Sequence, residues 1–221
     1  MFIIFIDLEY VKIKTDIRLF SLDIILLCIY SEYIGGDKNM GELIFMRHGQ
    51  ASFGQKNYDV LSKGGEEQAA LAAQYLLTTN LTFTNIYTGT LNRQIDTAHV
   101  TLAYLDSHTN QSHSFIKNEG LNEYPFGQIL NYYLPRLIAS DKSLQNRLEK
   151  TFTDEKALQF LFDLVIDNWL TDDALPAEVE SWPRFKERVA NTINHIISTN
   201  EKDSRILIFS SGGVISTVLH L

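Results

Sequence analysis

Cysteine is nearly missing: Cys28 is the only one in 221 residues. No disulfide can form within the chain, and no cysteine-based metal site can be assembled. This usage fits a reducing, cytoplasmic compartment. A surplus of positive charge is missing too, since 19 Lys and Arg stand against 27 Asp and Glu, a formal net charge of −8. General attraction to nucleic acid or to an anionic membrane is therefore not expected. Any anion the protein binds must be held by a local cluster of donors. No uncharged run approaches the ~18 residues needed to span a bilayer. Internal repeats and low-complexity tracts are absent as well. What remains is an ordinary globular composition, 45% hydrophobic and 21% charged, in a chain long enough for one domain with a substantial core.

The first forty residues stand apart. MFIIFIDLEYVKIKTDIRLFSLDIILLCIYSEYIGGDKN is rich in Ile, Leu, Phe and Tyr, but Asp7, Glu9, Lys12, Lys14, Asp16, Arg18 and Asp23 interrupt it throughout. It has neither a basic start nor a small-residue cleavage site. Residues 1–39 are expected to be an extension outside the natural domain, which then covers 40–221.

From Met40 the pattern becomes regular. Glu42 to Met46, Ile86 to Thr88 and Arg205 to Phe209 are short apolar runs of the kind that form buried strands. Ser62 can cap a helix running through Gln68, Ala69, Ala72 and Leu76. Leu91 to Leu105 reads as a second helix. Ser181 can cap another, with Trp182, Phe185, Val189, Ile193 and Ile196 on one face. Strands alternating with helices predict an α/β fold, a mostly parallel sheet covered on both faces. Residues 120 to 180 break the rhythm. Helical pieces such as ALQFLFDLVIDNWL and the turn signals Pro125, Pro135 and Pro176 suggest a helical insertion, with Phe160, Phe162 and Trp169 in its core.

Three of the strands end in unusual polar loops: MRHGQ, YTGTLNR and FSSGG. In parallel sheets ligands sit beyond the carboxyl ends of strands. If the three are adjacent, Arg47, His48, Arg93 and the Ser210–Gly213 backbone surround one small space. Two guanidinium groups can fork onto phosphate oxygens. Glycines let backbone N–H groups approach the same anion. His48 within that pocket is a candidate nucleophile. His99, His108, His113, His195 and His220 lack ligand spacing and are expected to face solvent or pack, so no metal is assigned.

At these residues the chain from Met40 onward resembles the histidine phosphatases, the superfamily that includes cofactor-dependent phosphoglycerate mutase. Six motifs carry the resemblance in order: Arg47-His48-Gly49 after a strand; LSKGGEEQA, residues 61–69; TGTLNRQIDTA, residues 88–98; LNEYPFG, residues 121–127; ESWPRFKERV, residues 180–189; and FSSGG. The resemblance implies a phosphoglycerate mutase-like three-layer sandwich. RHGQASFG, YDxLS and the Ser-Gly-Gly turn look like one bacterial branch of the family. By this resemblance His48 attacks phosphorus, Arg47 and Arg93 neutralise the phosphoryl oxygens, and Glu123 is the acid/base, with Glu119 in reserve. Ser211, Gly212 and Gln50 complete the phosphate site. No cofactor or metal is implied. The expected partner is a small phosphorylated metabolite or phosphate, with no nucleic acid, no membrane, and a homodimer left open.

Three departures qualify the resemblance. Ser211 stands where most members carry a second histidine, so one cation is replaced by a neutral donor. Gly54 stands where mutase-like members often have a phosphate-binding Asn. The chain also stops at His220-Leu221, inside the expected helix after the phosphate turn, so a C-terminally shortened domain is expected. The leading function is a phosphatase acting through phosphohistidine. The alternatives are a catalytically impaired phospho-ligand-binding protein and a mutase-like phosphotransferase.

Overall fold

A computed structural model of the chain describes residues 2–8, 11–19, 25–33, 41–52, 58–148, 155–172 and 174–221. Among these residues the sheet has seven strands: β1 (Phe2–Leu8), β2 (Val11–Leu19), β3 (Ile25–Tyr33), β4 (Gly41–Arg47), β5 (Asn85–Thr88), β6 (Ile116–Lys117) and β7 (Arg205–Ser210), in the order β1-β2-β3-β4-β7-β5-β6. From β4 onward every pairing is parallel. β1, β2 and β3, inside the stretch expected to be an extension, add to the β4 edge as an antiparallel meander. The helices are α1 (Lys63–Thr78), α2 (Asn92–His108), α3 (Phe126–Ser140), α4 (Ser143–Leu148), α5 (Glu155–Thr171), α6 (Trp182–Thr199) and α7 (Gly212–Val218). Among the described residues no helix is long and apolar enough to cross a membrane.

The chain divides into two compact units, residues 1–123 with 189–221, and residues 124–188. In the first, strand alternation sorts the core. Ile44, Met46, Leu207 and Phe209 join Ala72, Ala73 and Leu76 of α1 and Ala98, Leu102 and Leu105 of α2 in one buried cluster. Leu43, Phe45, Ile206 and Ile208 point to the opposite face and are buried, as are Val189, Ile193 and Ile196 of α6. The result is the α/β sandwich with helices on both faces that the alternation predicts. Each fully buried Ile or Phe contributes roughly 1.5–3 kcal/mol, enough for a sheet this apolar to hold polar loops at its tips.

Register decides what those loops can do. Arg47 pairs with Ser210, Met46 with Phe209, Thr88 with Phe209 and Thr88 with Lys117. The carboxyl ends of β4, β7, β5 and β6 are therefore level, and their four following loops leave from one edge. The two-residue β6 and the 3₁₀ turn over Glu119–Leu121 carry too little periodicity to be read from sequence.

The second unit is helical, as its apolar spacing suggests, with two corrections. Pro135 was expected to mark a turn but lies inside α3. An interior proline costs about 3 kcal/mol, which burial of Ile129 and Tyr133 on the same helix offsets. Phe160 was expected in the core but is 39% exposed, whereas Trp169 is 1% exposed.

Candidate active site

The loop after β4 is fastened on both sides. His48 N–H donates to Ser210 O at 2.9 Å, and Gly49 N–H to Thr97 Oγ1 at 3.1 Å. A Cβ on Gly49 would collide with the Gly65 carbonyl, and one on Gly65 with the Gln50 carbonyl. Glycine at both positions lets the first turn of α1 lie directly against the loop. Ser62 caps that helix by accepting from Gly65 N–H at 3.1 Å and donates to Gln50 Oε1 at 2.9 Å. The exposed side chain of Gln50 is thus engaged at the α1 cap.

His48 has its two ring nitrogens assigned by their neighbours. Gly49 O can only accept, so Nδ1 carries the hydrogen in their 2.8 Å bond. Arg93 Nε can only donate, so Nε2 presents its lone pair in their 3.1 Å bond. The imidazole pKa is pushed down from 6.5 to about 4. Burial is the largest cause; the charges of Arg93 and Arg47 act in the same direction, while the Gly49 carbonyl and Asp59 oppose them. The ring is therefore neutral at neutral pH, with a lone pair on Nε2.

Arg93 sits in the first turn of α2 and is buried. Its Nη1 pairs with Asp59 Oδ1 at 2.6 Å, and Asp59 Oδ2 accepts from Asn92 N–H at 2.8 Å. One carboxylate thus aims the guanidinium and satisfies an orphan donor of the helix start. Arg47 lies over the β7 turn: its Nε is 3.7 Å from where a Gly212 Cβ would be.

Glu123 and Ser211 meet the same turn differently. Glu123 Oε2 accepts from Gly213 N–H at 2.9 Å. Glu119 is exposed on the 3₁₀ turn, so the carboxylate bound to the glycine turn is that of Glu123. Ser211 is fully buried, and its Oγ accepts from Gln94 Nε2 at 2.8 Å. It lies beneath the turn, not on its surface. Gly54 lies outside the described residues. His99, His108, His195 and His220 are exposed, and His113 is half-buried against Asp106.

Two residues of this site were not singled out from sequence. Asp59 gave only its place in YDVLS, just before the helix cap. Gln94 carried a stronger signal: it shares a helix face with Ala98, Thr101 and Leu105, all buried, and a carboxamide in such a stripe needs partners.

A level row of parallel strand ends, two arginines, a neutral histidine and a glycine turn meet at the sheet edge of an α/β protein, and their charge and donors form a candidate anion site. The chain belongs to the histidine phosphatase superfamily (branch 1), whose sequence profile matches residues 43–157 and 149–221. No curated protein matches it. Among solved structures it is similar to phosphoglycerate mutase from Bacillus anthracis str. Sterne, at 20% identity over 80% of this chain and 78% of that one, with a TM-score of 0.52. It is also similar to phosphoserine phosphatase in complex with 3-phosphoglyceric acid from Entamoeba histolytica, at 20% identity over 81% and 78%, TM-score 0.50. These likenesses concern the fold.

Proposed function

We propose that the protein is a metal-independent phosphomonoesterase working through a phosphohistidine on His48. The observation that carries this is the state of Nε2: a lone pair, on a ring held neutral, directly beside the Arg93 guanidinium. The lone pair attacks phosphorus in line as the P–O bond to the leaving group breaks. Glu123 gives its proton to the departing alkoxide. Water then attacks the phosphohistidine, Glu123 takes a proton from it, the P–N bond breaks, and phosphate leaves with Nε2 restored. Arg47 and Arg93 supply the positive charge, which suits a reaction where positioning and charge stabilisation dominate. Arg93 Nε–H moves from Nε2 to a phosphoryl oxygen as phosphorus approaches. The substrate class is a small phosphorylated metabolite in the cytoplasm.

p-Nitrophenyl phosphate tests the reading. The expected results are steady release of phosphate and a phosphorylated chain with an acid-labile P–N bond in rapid-quench mass spectrometry. Replacing His48→Ala should abolish both, lowering turnover on the order of 10⁴-fold or more. A second reading, a phosphate-binding protein without turnover, draws on the uncharged, buried Ser211. It prevails if wild type binds phosphate but releases none from the ester.

A further inference from the structure

Resting on the acid/base role given to Glu123 above, we propose that Gln94 is a positioning residue that holds this carboxylate in place through Leu121 and Ser211. Gln94 is fully buried. Its amide nitrogen has two hydrogens, and both have acceptors: Leu121 O at 3.0 Å and Ser211 Oγ at 2.8 Å. The orientation is unambiguous, because a flipped amide would set its oxygen against the Leu121 carbonyl. The amide oxygen faces Leu91 N–H at 3.4 Å. Leu121 O also takes the Ser210 hydroxyl at 2.8 Å.

These bonds close a ring. Glu123 is two residues past Leu121, and Gly213 is two residues past Ser211. Glu123 Oε2 and Gly213 N–H join the two segments at one end; Gln94 joins them at the other. Gln94 packs directly against Gly89: a Cβ there would strike its carboxamide and the Asn122 side-chain oxygen. Asn122, between Leu121 and Glu123, adds a strap to Thr90, accepting from its N–H at 2.6 Å and donating to its hydroxyl at 2.7 Å. A fully buried carboxamide is costly unless its donors are satisfied, so this niche is shaped for the two hydrogens of Gln94. The chemical consequence is specific. In the step that expels the leaving group, the step kcat/KM reports, a misplaced acid harms departure of a basic leaving group, which needs a proton in the transition state, and spares a leaving group that departs as a stable anion; the later attack of water is common to all substrates and enters kcat alone.

The test is a series of aryl phosphates, from p-nitrophenyl phosphate to phenyl phosphate, with the full chain. Gln94→Met keeps the length of the side chain and deletes both donors. It should lower kcat/KM for phenyl phosphate about 10- to 100-fold, the scale of an ångström of misplacement, and kcat/KM for p-nitrophenyl phosphate less than about threefold. The inhibition constant of inorganic phosphate should stay within about twofold, since Arg47 and Arg93 are untouched. Glu123→Gln should show the same selectivity, and adding Gln94→Met to it should cost little more. Equal losses of kcat/KM across the series, or a full further loss in the double variant, overturn the proposal and leave the phosphatase reading standing. A wild type already as steep as Glu123→Gln also overturns it. A wild type that hydrolyses no member of the series overturns both. If Gln94→Met melts before assay, Ser211→Ala removes one link of the ring at almost no change in volume. It should give the same selectivity at smaller size, and a uniform loss from it counts against the proposal equally.

Discussion

In the unit that carries the strand ends, loops are tied together by short directional bonds between polar groups far apart in sequence. In residues 124–188 aromatic rings do the holding. Trp169 lies 4.8 Å from Tyr124, 5.6 Å from Trp182 and 5.9 Å from Phe185, centroid to centroid. Its indole N–H donates to Glu180 O at 2.7 Å. Arg188 forks onto Glu180 with bonds of 2.8 and 2.9 Å and lies over the Phe185 ring at 4.9 Å. The Tyr133 hydroxyl donates to Asp172 at 2.9 Å, and burial, reinforced by that carboxylate, raises its pKa. Ring packing tolerates small shifts, because dispersion is spread over many contacts. A ring of directional hydrogen bonds does not, because each bond fades steeply with angle. Substitutions in the helical unit should therefore be felt first in stability, and those at the strand ends first in chemistry.

The largest effect on the helical side should come from Trp169→Ala. Loss of that ring is expected to cost about 3–5 kcal/mol in urea unfolding; a cost under about 1 kcal/mol would show that the aromatic cluster does not hold this unit. Next is the pH dependence of stability contributed by His48. The folded ring has a pKa of about 4 and the unfolded one 6.5. Between these values the unfolded chain binds a proton that the folded one refuses, so stability falls as pH drops from 6.5 toward 4. The group's contribution is at most about 3 kcal/mol. His48→Gln should unfold with a shallower acid-side slope than wild type, and parallel slopes would contradict the assignment.

Smaller still is the cost of restoring a second histidine by Ser211→His. Gln94 fills the neighbouring space, so the new ring is overpacked and should destabilise by about 1–3 kcal/mol. Adding Gln94→Ala should recover part of the melting temperature; no recovery would mean that the two side chains do not compete for volume. The smallest effect is expected from Asp59→Ala, which frees the Arg93 guanidinium from its aiming carboxylate. Loss of one charged hydrogen bond predicts about a tenfold fall in kcat/KM with little change in unfolding. A large stability loss with unaltered kinetics would move Asp59 to the structural side of the comparison.

Much of the strand-end unit was legible because its signals are local. Arg47, His48 and Gly49 follow an apolar strand without a spacer, and Ser62 sits just before its helix. Glu123 was preferred to Glu119 through the resemblance, whereas its bond to Gly213, which spans 90 positions, could not be read from the sequence. Asp59 and Gln94 were not legible as site residues, because their roles consist of partners 34 and 117 positions away. Pro135 misled for the opposite reason: its local preference was clear, and burial of neighbouring side chains overrode it.

Taken alone, the order of residues determined which groups were available: an imidazole, two guanidiniums and a carboxylate, near the ends of elements whose periodicity could be read. Tertiary structure decided which nitrogen of His48 holds the lone pair, that Ser211 lies under the turn, and that Gln94 ties Leu121 to it. Those outcomes depend on the level register of four parallel strands and on which donor faces which acceptor, and such pairings exist only once distant loops share one sheet edge.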